Sequence, residues 1–273
     1  MLPAVTGFDH LMMLVRDIDR AAAMYAALGF TLTERGHHSR GTANHTMMLD
    51  GNYMELVTVE HPGPGNAEYV ELLKHREGPQ AIGLQTADAD AVYRQLAEMG
   101  LDTSPVIQFS RPVRLAEGMR DATFRAVRVP KQPDLPELFA CQHLTREVVW
   151  RPEWQAHANG AQRVIGVVIV HGAPDRAAAA WQRLFGGAVQ QVAGGVNAEL
   201  GPTQIEFVTP DAVRTRFPGC GSASGLAGVV LATRSVAQTA ALLRQAGIAV
   251  SSTGSGGVVP DLGATCGCLL EFR

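Results

Sequence analysis

Four cysteines (Cys141, Cys220, Cys266 and Cys268) are all that a chain of 273 residues contains. So few thiols fit reduced cysteines in a cytoplasmic protein. Cys266-Gly267-Cys268 has the spacing of half a metal site. No second Cys/His pair at finger spacing accompanies it, so it reads as small buried residues in a late strand. No apolar run approaches the length needed to span a bilayer. No run of Lys or Arg is present and the formal net charge is −3, which makes nucleic acid and anionic membrane surfaces poor partners. The opening residues, "MLPAVTGFDH", lack the basic segment and apolar core of a signal peptide, so the cytoplasm is the expected compartment. What remains is a globular balance, 46% apolar and 18% charged residues. The length suits one large or two medium domains with a real core.

The chain repeats itself. "GFDHLMMLV" is an apolar strand, followed by "DIDRAAAMYAALGF", where Asp17 or Asp19 can cap a helix and Gly29 can stop it. "PQAIGLQTADADAVYRQLAEMGL" repeats the pattern and stops at Gly100, 71 residues after Gly29. In "VIGVVIVHGAPDRAAAAWQRLFGG", Asp175-Arg176-Ala177 repeats Asp19-Arg20-Ala21 at an offset of 156. "LAGVVLATRSVAQTAALLRQAGI" ends at Gly247, an offset of 218 from Gly29. Tyr25, Leu96, Trp181 and Leu243 fall in one helical column. Behind each helix lies room for three short strands, read from alternation, β-branched residues and turn glycines. The unit is therefore β-α-β-β-β, four times over, an α+β protein. One module leaves a sheet face bare, so modules 1 and 2 are expected to pair, and likewise modules 3 and 4. The expected division is 1–145 for the first pair, a linker at 146–162, and 163–273 for the second pair.

With "FDHLMMLVRDIDRAAAMYAALGF", "GHHSRGTANHTMMLDGNYMELV" and "ELFACQH" in view, the sequence resembles the glyoxalase-like domain proteins of the vicinal oxygen chelate superfamily. The resemblance implies that each pair forms a curled mixed β-sheet, an open barrel with helices outside. It also implies metal ligands on the first and last strands of paired modules. The first-strand column reads His10, Ala81, Gly166, Gly228. Aligning "NYMELV", "TQIEFV" and "CLLEFR" gives a last-strand column of Glu55, Glu206 and Glu271, with Gln142 the nearest match in module 2. His10 and Glu55 thus fill both positions of module 1. A lone histidine at a strand start is ordinarily a satisfied core residue; a carboxylate in matching register changes that weighting. Glycines at the matching positions of modules 3 and 4 leave Glu206 and Glu271 as exposed or hydrogen-bonded carboxylates, and the functional cavity is expected in the first pair.

A neutral imidazole and a carboxylate suit Zn²⁺, Fe²⁺, Mn²⁺ or Ni²⁺. Glu55 is the expected catalytic carboxylate, His10 and Glu55 the expected ligands, and His143 the third. His37, His38 and His45 are further candidates. Asp9 is expected on the opposite face of its strand from His10. Arg40, Asn44 and Gln142 are the expected substrate contacts; Gly41 and Asn44 also suit a tight turn. His157 and Asn159 lie in the linker and could cover the site mouth. Arg111 and Arg114 could grip a carboxylate bidentately, although exposed arginines are the commoner case. Three functions fit: a divalent-metal enzyme of lyase, isomerase or dioxygenase type acting on a small oxygen-bearing substrate, a metal-free binding protein of the bleomycin-resistance type, or a structural or regulatory protein with a degenerate site. The expected partners are a small molecule and a second copy of the chain in a homodimer.

Overall fold

The computed structural model describes residues 1–217 and 224–273. Module 1 runs β1 (Val5–Leu14), α1 (Ile18–Ala27), β2 (Gly36–His37), β3 (Thr42–Met48) and β4 (Tyr53–Val59), followed by an added helix α2 (Ala67–His75). Module 2 runs β5 (Gly78–Thr86), α3 (Ala89–Glu98), β6 (Ile107–Leu115), β7 (Gly118–Val129) and β8 (Glu137–His143). Two short helices, α4 (Arg146–Val149) and α5 (Pro152–Gln155), precede module 3: β9 (Ala161–Val170), α6 (Pro174–Phe185), β10 (Val189–Val192), β11 (Gly195–Leu200) and β12 (Thr203–Val208). After α7 (Pro210–Arg216), module 4 runs β13 (Gly225–Thr233), α8 (Val236–Gln245), β14 (Val250–Ser252), β15 (Val258–Pro260) and β16 (Leu269–Phe272).

Local chemistry sets the helix ends. Asp17, Asp88 and Ser235 each accept a hydrogen bond from the backbone N–H three residues on, satisfying donors that a helix start leaves free. In α6 a proline takes over the first turn. Gly29 and Gly100 end their helices at φ 84° and 71°, a conformation that costs glycine little. The helical column of Tyr25, Leu96, Trp181 and Leu243 is fully buried.

The strands form two eight-stranded sheets, ordered β2-β3-β4-β1-β5-β8-β7-β6 and β10-β11-β12-β9-β13-β16-β15-β14. In each, the opening strands of two modules lie antiparallel at the centre. Each central strand then has its own module's last strand parallel on its other side. Two modules are therefore related by an approximate two-fold axis, and each mixed sheet curls with its helices outside. One large apolar core, with residues from all four modules, packs the outer faces, while smaller clusters fill the concave faces.

Some expectations need correction. Within residues 146–162, Val148, Val149, His157 and Asn159 are buried. His157 Nε2 donates to the Met48 carbonyl (2.8 Å) while its Nδ1 accepts from the Thr31 amide (3.0 Å), and Asn159 Nδ2 donates to the Leu28 carbonyl (2.9 Å). Both side chains tie this segment to module 1 and neither lines the cavity described below. Cys266–Cys268 occupies a turn before β16 rather than a strand, and Cys220 lies outside the described residues. No helix among the described residues is long and apolar enough to cross a membrane.

Candidate active site

The site begins with an irregularity in β1. Against β5, Phe8 pairs with Leu84 but His10 pairs with Gly83, so Asp9 is the extra residue of a β-bulge. Phe8 and Leu11 join the outer core. A regular strand would turn Asp9 outward as well; the bulge brings it inward beside His10, which corrects the expectation for Asp9. The Asp9 side chain is fully buried, and its Oδ2 is shared by His10 Nδ1 at 2.7 Å and His143 Nε2 at 3.0 Å. Burial alone pushes this carboxyl up. The His143 and His10 contacts outweigh that and hold it well below the usual carboxylate range. An ionised carboxylate only accepts, so both ring nitrogens donate to it. Asp9 Oδ1 has no hydrogen-bond partner.

With Nδ1 committed, His10 Nε2 is the nitrogen left for the cavity. Gly83 makes room for the ring: a Cβ there would stand 2.3 Å from His10 Cε1. Tyr53 stacks on the imidazole at 4.4 Å between centroids and Phe139 meets it edge-on at 5.2 Å. β4 runs parallel to β1 with Tyr53 opposite His10 and Glu55 opposite Met12. Pleating turns Glu55 to the same side, and its Oε2 lies 3.6 Å from His10 Nε2. The other oxygen, Oε1, accepts from Asn44 Nδ2 at 2.6 Å. Asn44 thus sits on β3 as a partner of Glu55; the turn is made by Gly41, at φ 80°.

These residues lie in a cavity of about 280 Å³ inside the first curled sheet. His38, Arg40 and Arg111 line it as well. Burial pushes the His38 imidazole down from its ordinary value, with Glu55 opposing. His37 pairs with Glu60 and His45 with the Thr33 carbonyl, away from the cavity. Arg114 is exposed, whereas Arg111 is buried. Gln142 is not at the site. Its side chain accepts from the Ala89 amide and donates to the Ala87 carbonyl, closing the start of α3. The registers explain the misplacement. Tyr53 pairs with His10 as Glu137 pairs with Ala81, so the module 2 equivalent of Glu55 is Phe139, three residues before Gln142.

Do these residues fit a metal ion? Two ligand atoms on a tetrahedral ion with bonds of about 2.1 Å stand about 3.4 Å apart. His10 Nε2 and Glu55 Oε2 match that separation, and their outer atoms are tied to Asp9 and Asn44, as metal-ligating side chains usually are. The two donors therefore fit. Ala81 and Phe139 supply none, so water or substrate would complete the coordination. His143 is not gathered with them: its Nε2 contacts Asp9, its Nδ1 is buried without a partner, and its ligand atoms group with Asp9 and Cys141 instead. Asp9, Cys141 and His143 do bring ligand atoms within 4.8 Å of one another. However, Asp9 Oδ2 already serves both imidazoles, and burial pushes the Cys141 thiol far up, with Asp9 and Glu55 adding to the effect.

The matching position of the second pair is filled from within. Arg216 from α7 pairs with both Glu206 and Glu271. Arg273 adds a contact to Glu271 at 2.8 Å, and the Thr253 and Ser255 hydroxyls also donate to it. As expected, these carboxylates are partnered and offer no open ligand.

The fold, a pair of curled sheets built from βαβββ modules with a polar cavity on one concave face, is that of the vicinal oxygen chelate superfamily. Within it the chain belongs to the glyoxalase-like domain family, which matches residues 8–185. No curated protein matches it in sequence. Among solved structures it is similar to a hypothetical protein from Staphylococcus aureus (TM-score 0.71, 14% identity, covering 97% of this chain and 98% of that one). It also resembles the Mn(II)-bound glyoxalase from Novosphingobium aromaticivorans (TM-score 0.61, 16% identity, 98% and 82%). A third similar structure is the 2,3-dioxygenase LapB from Pseudomonas sp. KL28 (TM-score 0.61, 12% identity, 100% and 93%).

Proposed function

We propose that the protein is a divalent-metal-dependent enzyme, of lyase, isomerase or dioxygenase type, acting on a small oxygen-bearing substrate in the first cavity. The observation that carries this reading is the approach of His10 Nε2 to Glu55 Oε2, 3.6 Å apart on the wall of an open cavity. A bound Zn²⁺, Fe²⁺, Mn²⁺ or Ni²⁺ would be held by these two side chains and would act as a Lewis acid on the substrate oxygens. The chain's own residues do the rest. Asp9 fixes the His10 tautomer. Asn44 orients Glu55, whose Oε2 is the basic oxygen placed to move a substrate proton. Tyr53, Phe139 and Phe124 wall the cavity against bulk water, and Arg40 stands at its rim. The Mn(II)-bound glyoxalase and the dioxygenase among the similar structures support this class of chemistry, and the small number of cysteines suits a cytoplasmic setting.

Elemental analysis of protein purified without chelator tests the reading. About one first-row divalent ion per chain is expected in the wild type and none in Glu55→Gln. A second reading, a metal-free small-molecule binding protein, is supported by Ala81 and Phe139 at the other two ligand positions. A metal-free wild type that still binds small molecules in this cavity would establish it instead.

A further inference from the structure

Arg111 is a cation enclosed in the cavity with no counter-charge in contact. β6 alternates: Phe109, Arg111, Val113 and Leu115 face inward, while Pro112 and Arg114 are exposed. An arginine thus stands in an otherwise apolar series on the inner face of the β6–β7 hairpin. It is 3% exposed. Among the described residues it makes no hydrogen bond or ion pair, and its Nε is buried without a partner. Gly36 admits it, since a Cβ at that position would stand 2.6 Å from Arg111 Cδ and 3.0 Å from Nη1. Arginine stays charged even when buried. An unpaired buried charge is heavily disfavoured unless something completes it.

The other charges of the cavity are already answered. Glu55 accepts from Asn44 and faces His10, and its charge reaches Arg111 only through space, without contact. Arg128 pairs with Glu68 and Glu137. Arg40 is exposed at the rim. One buried guanidinium is left without a contacting partner, in a cavity walled by Tyr53, Phe109, Phe124 and Phe139. We infer that Arg111 anchors a carboxylate of the ligand, and that the ligand is a small monocarboxylate with an apolar body of about aromatic-ring size. The planar guanidinium matches a carboxylate in fork geometry. The aromatic walls accept the apolar part, leaving the remaining substrate oxygens to face His10 and Glu55. The inference rests on this cavity being the substrate site, and does not depend on the metal.

Calorimetric titration of the wild type and Arg111→Met with acetate, benzoate, phenylacetate and 3-phenylpropionate, each beside its uncharged amide, tests it. The wild type should bind at least one aromatic acid about tenfold or more tighter than its amide, a charge-assisted hydrogen bond being worth that much. Arg111→Met should abolish the preference. Arg111→Lys, which keeps the charge and loses the fork, should weaken the acid but retain a preference for it; it decides the matter should the Met variant fail to fold. Glu55→Gln should keep the acid preference even if it loses metal, which separates failure here from failure of the metal reading. Equal binding of acid and amide, no binding of any acid, or an undiminished preference in Arg111→Met overturns the inference.

Discussion

The Asp9 carboxylate stands 2.7 Å from His10 Nδ1, and this contact decides which imidazole nitrogen faces the cavity. A carboxylate behind a histidine fixes its tautomer and raises its basicity. Replacing Asp9 by Asn removes the negative charge that both imidazole N–H groups face. Asp9→Asn is expected to cost about 3 kcal/mol of stability, the scale of breaking a buried charged pair, and to weaken metal binding. Chemical denaturation and metal titration of the variant check both effects.

The same carboxyl imposes a pH dependence. Its folded pKa lies below the ordinary 3.8, so its contribution is complete above that value and is lost as pH falls beneath it. Stability curves from pH 7 to pH 3 should show an acid loss that is smaller in Asp9→Asn. Equal loss in both proteins would assign the acid sensitivity elsewhere.

Gly83→Ala tests the position of His10 without touching any ligand. The added methyl collides with the imidazole, and overpacking of this kind costs about 1–3 kcal/mol. Metal affinity is expected to fall while the variant stays folded. An unchanged affinity would show that the ring has another place to go.

In the second pair, Arg216→Met would leave Glu206 and Glu271 facing each other with one guanidinium fewer. A loss of about 2–4 kcal/mol is expected, with ligand binding in the first cavity preserved. Although burial pushes it up, the Glu271 carboxyl is held down to about 2, chiefly by Arg273, Ser255 and Arg216. Its stabilisation is present above the ordinary glutamate value of 4.5 and is lost as pH falls toward 2. Arg216→Met should shift that loss to higher pH.

Arg111→Met should raise the thermal midpoint by about 2–4 °C, equivalent to about 1 kcal/mol in a chain of this size, because it removes an unpaired buried cation. A lower midpoint would mean that Arg111 is a structural residue.

The repeat was legible because the same constraints act four times: a capping side chain, a buried column at Tyr25, Leu96, Trp181 and Leu243, and a helix stop. His10 and Glu55 were legible because strand alternation carries their direction. Asp9 was not, since a bulge is a tertiary accommodation that alternation cannot show. Gln142 is only the nearest polar residue to the matching position in module 2, because Phe139 holds the place that an acid marks in the other modules. Arg111 had a signal, an arginine in the inward series Phe109, Val113, Leu115. Only pairing with β7, though, distinguishes that series from an exposed edge.

Titration of Mn²⁺ into metal-depleted protein, followed by the electron paramagnetic resonance of the free ion, tests the central claim most directly. The wild type should remove about one ion per chain from solution, and both His10→Ala and Glu55→Gln should lose that binding while remaining folded. No binding by the wild type, or unchanged affinity in both variants, would contradict the assignment of His10 and Glu55 as the metal-holding pair.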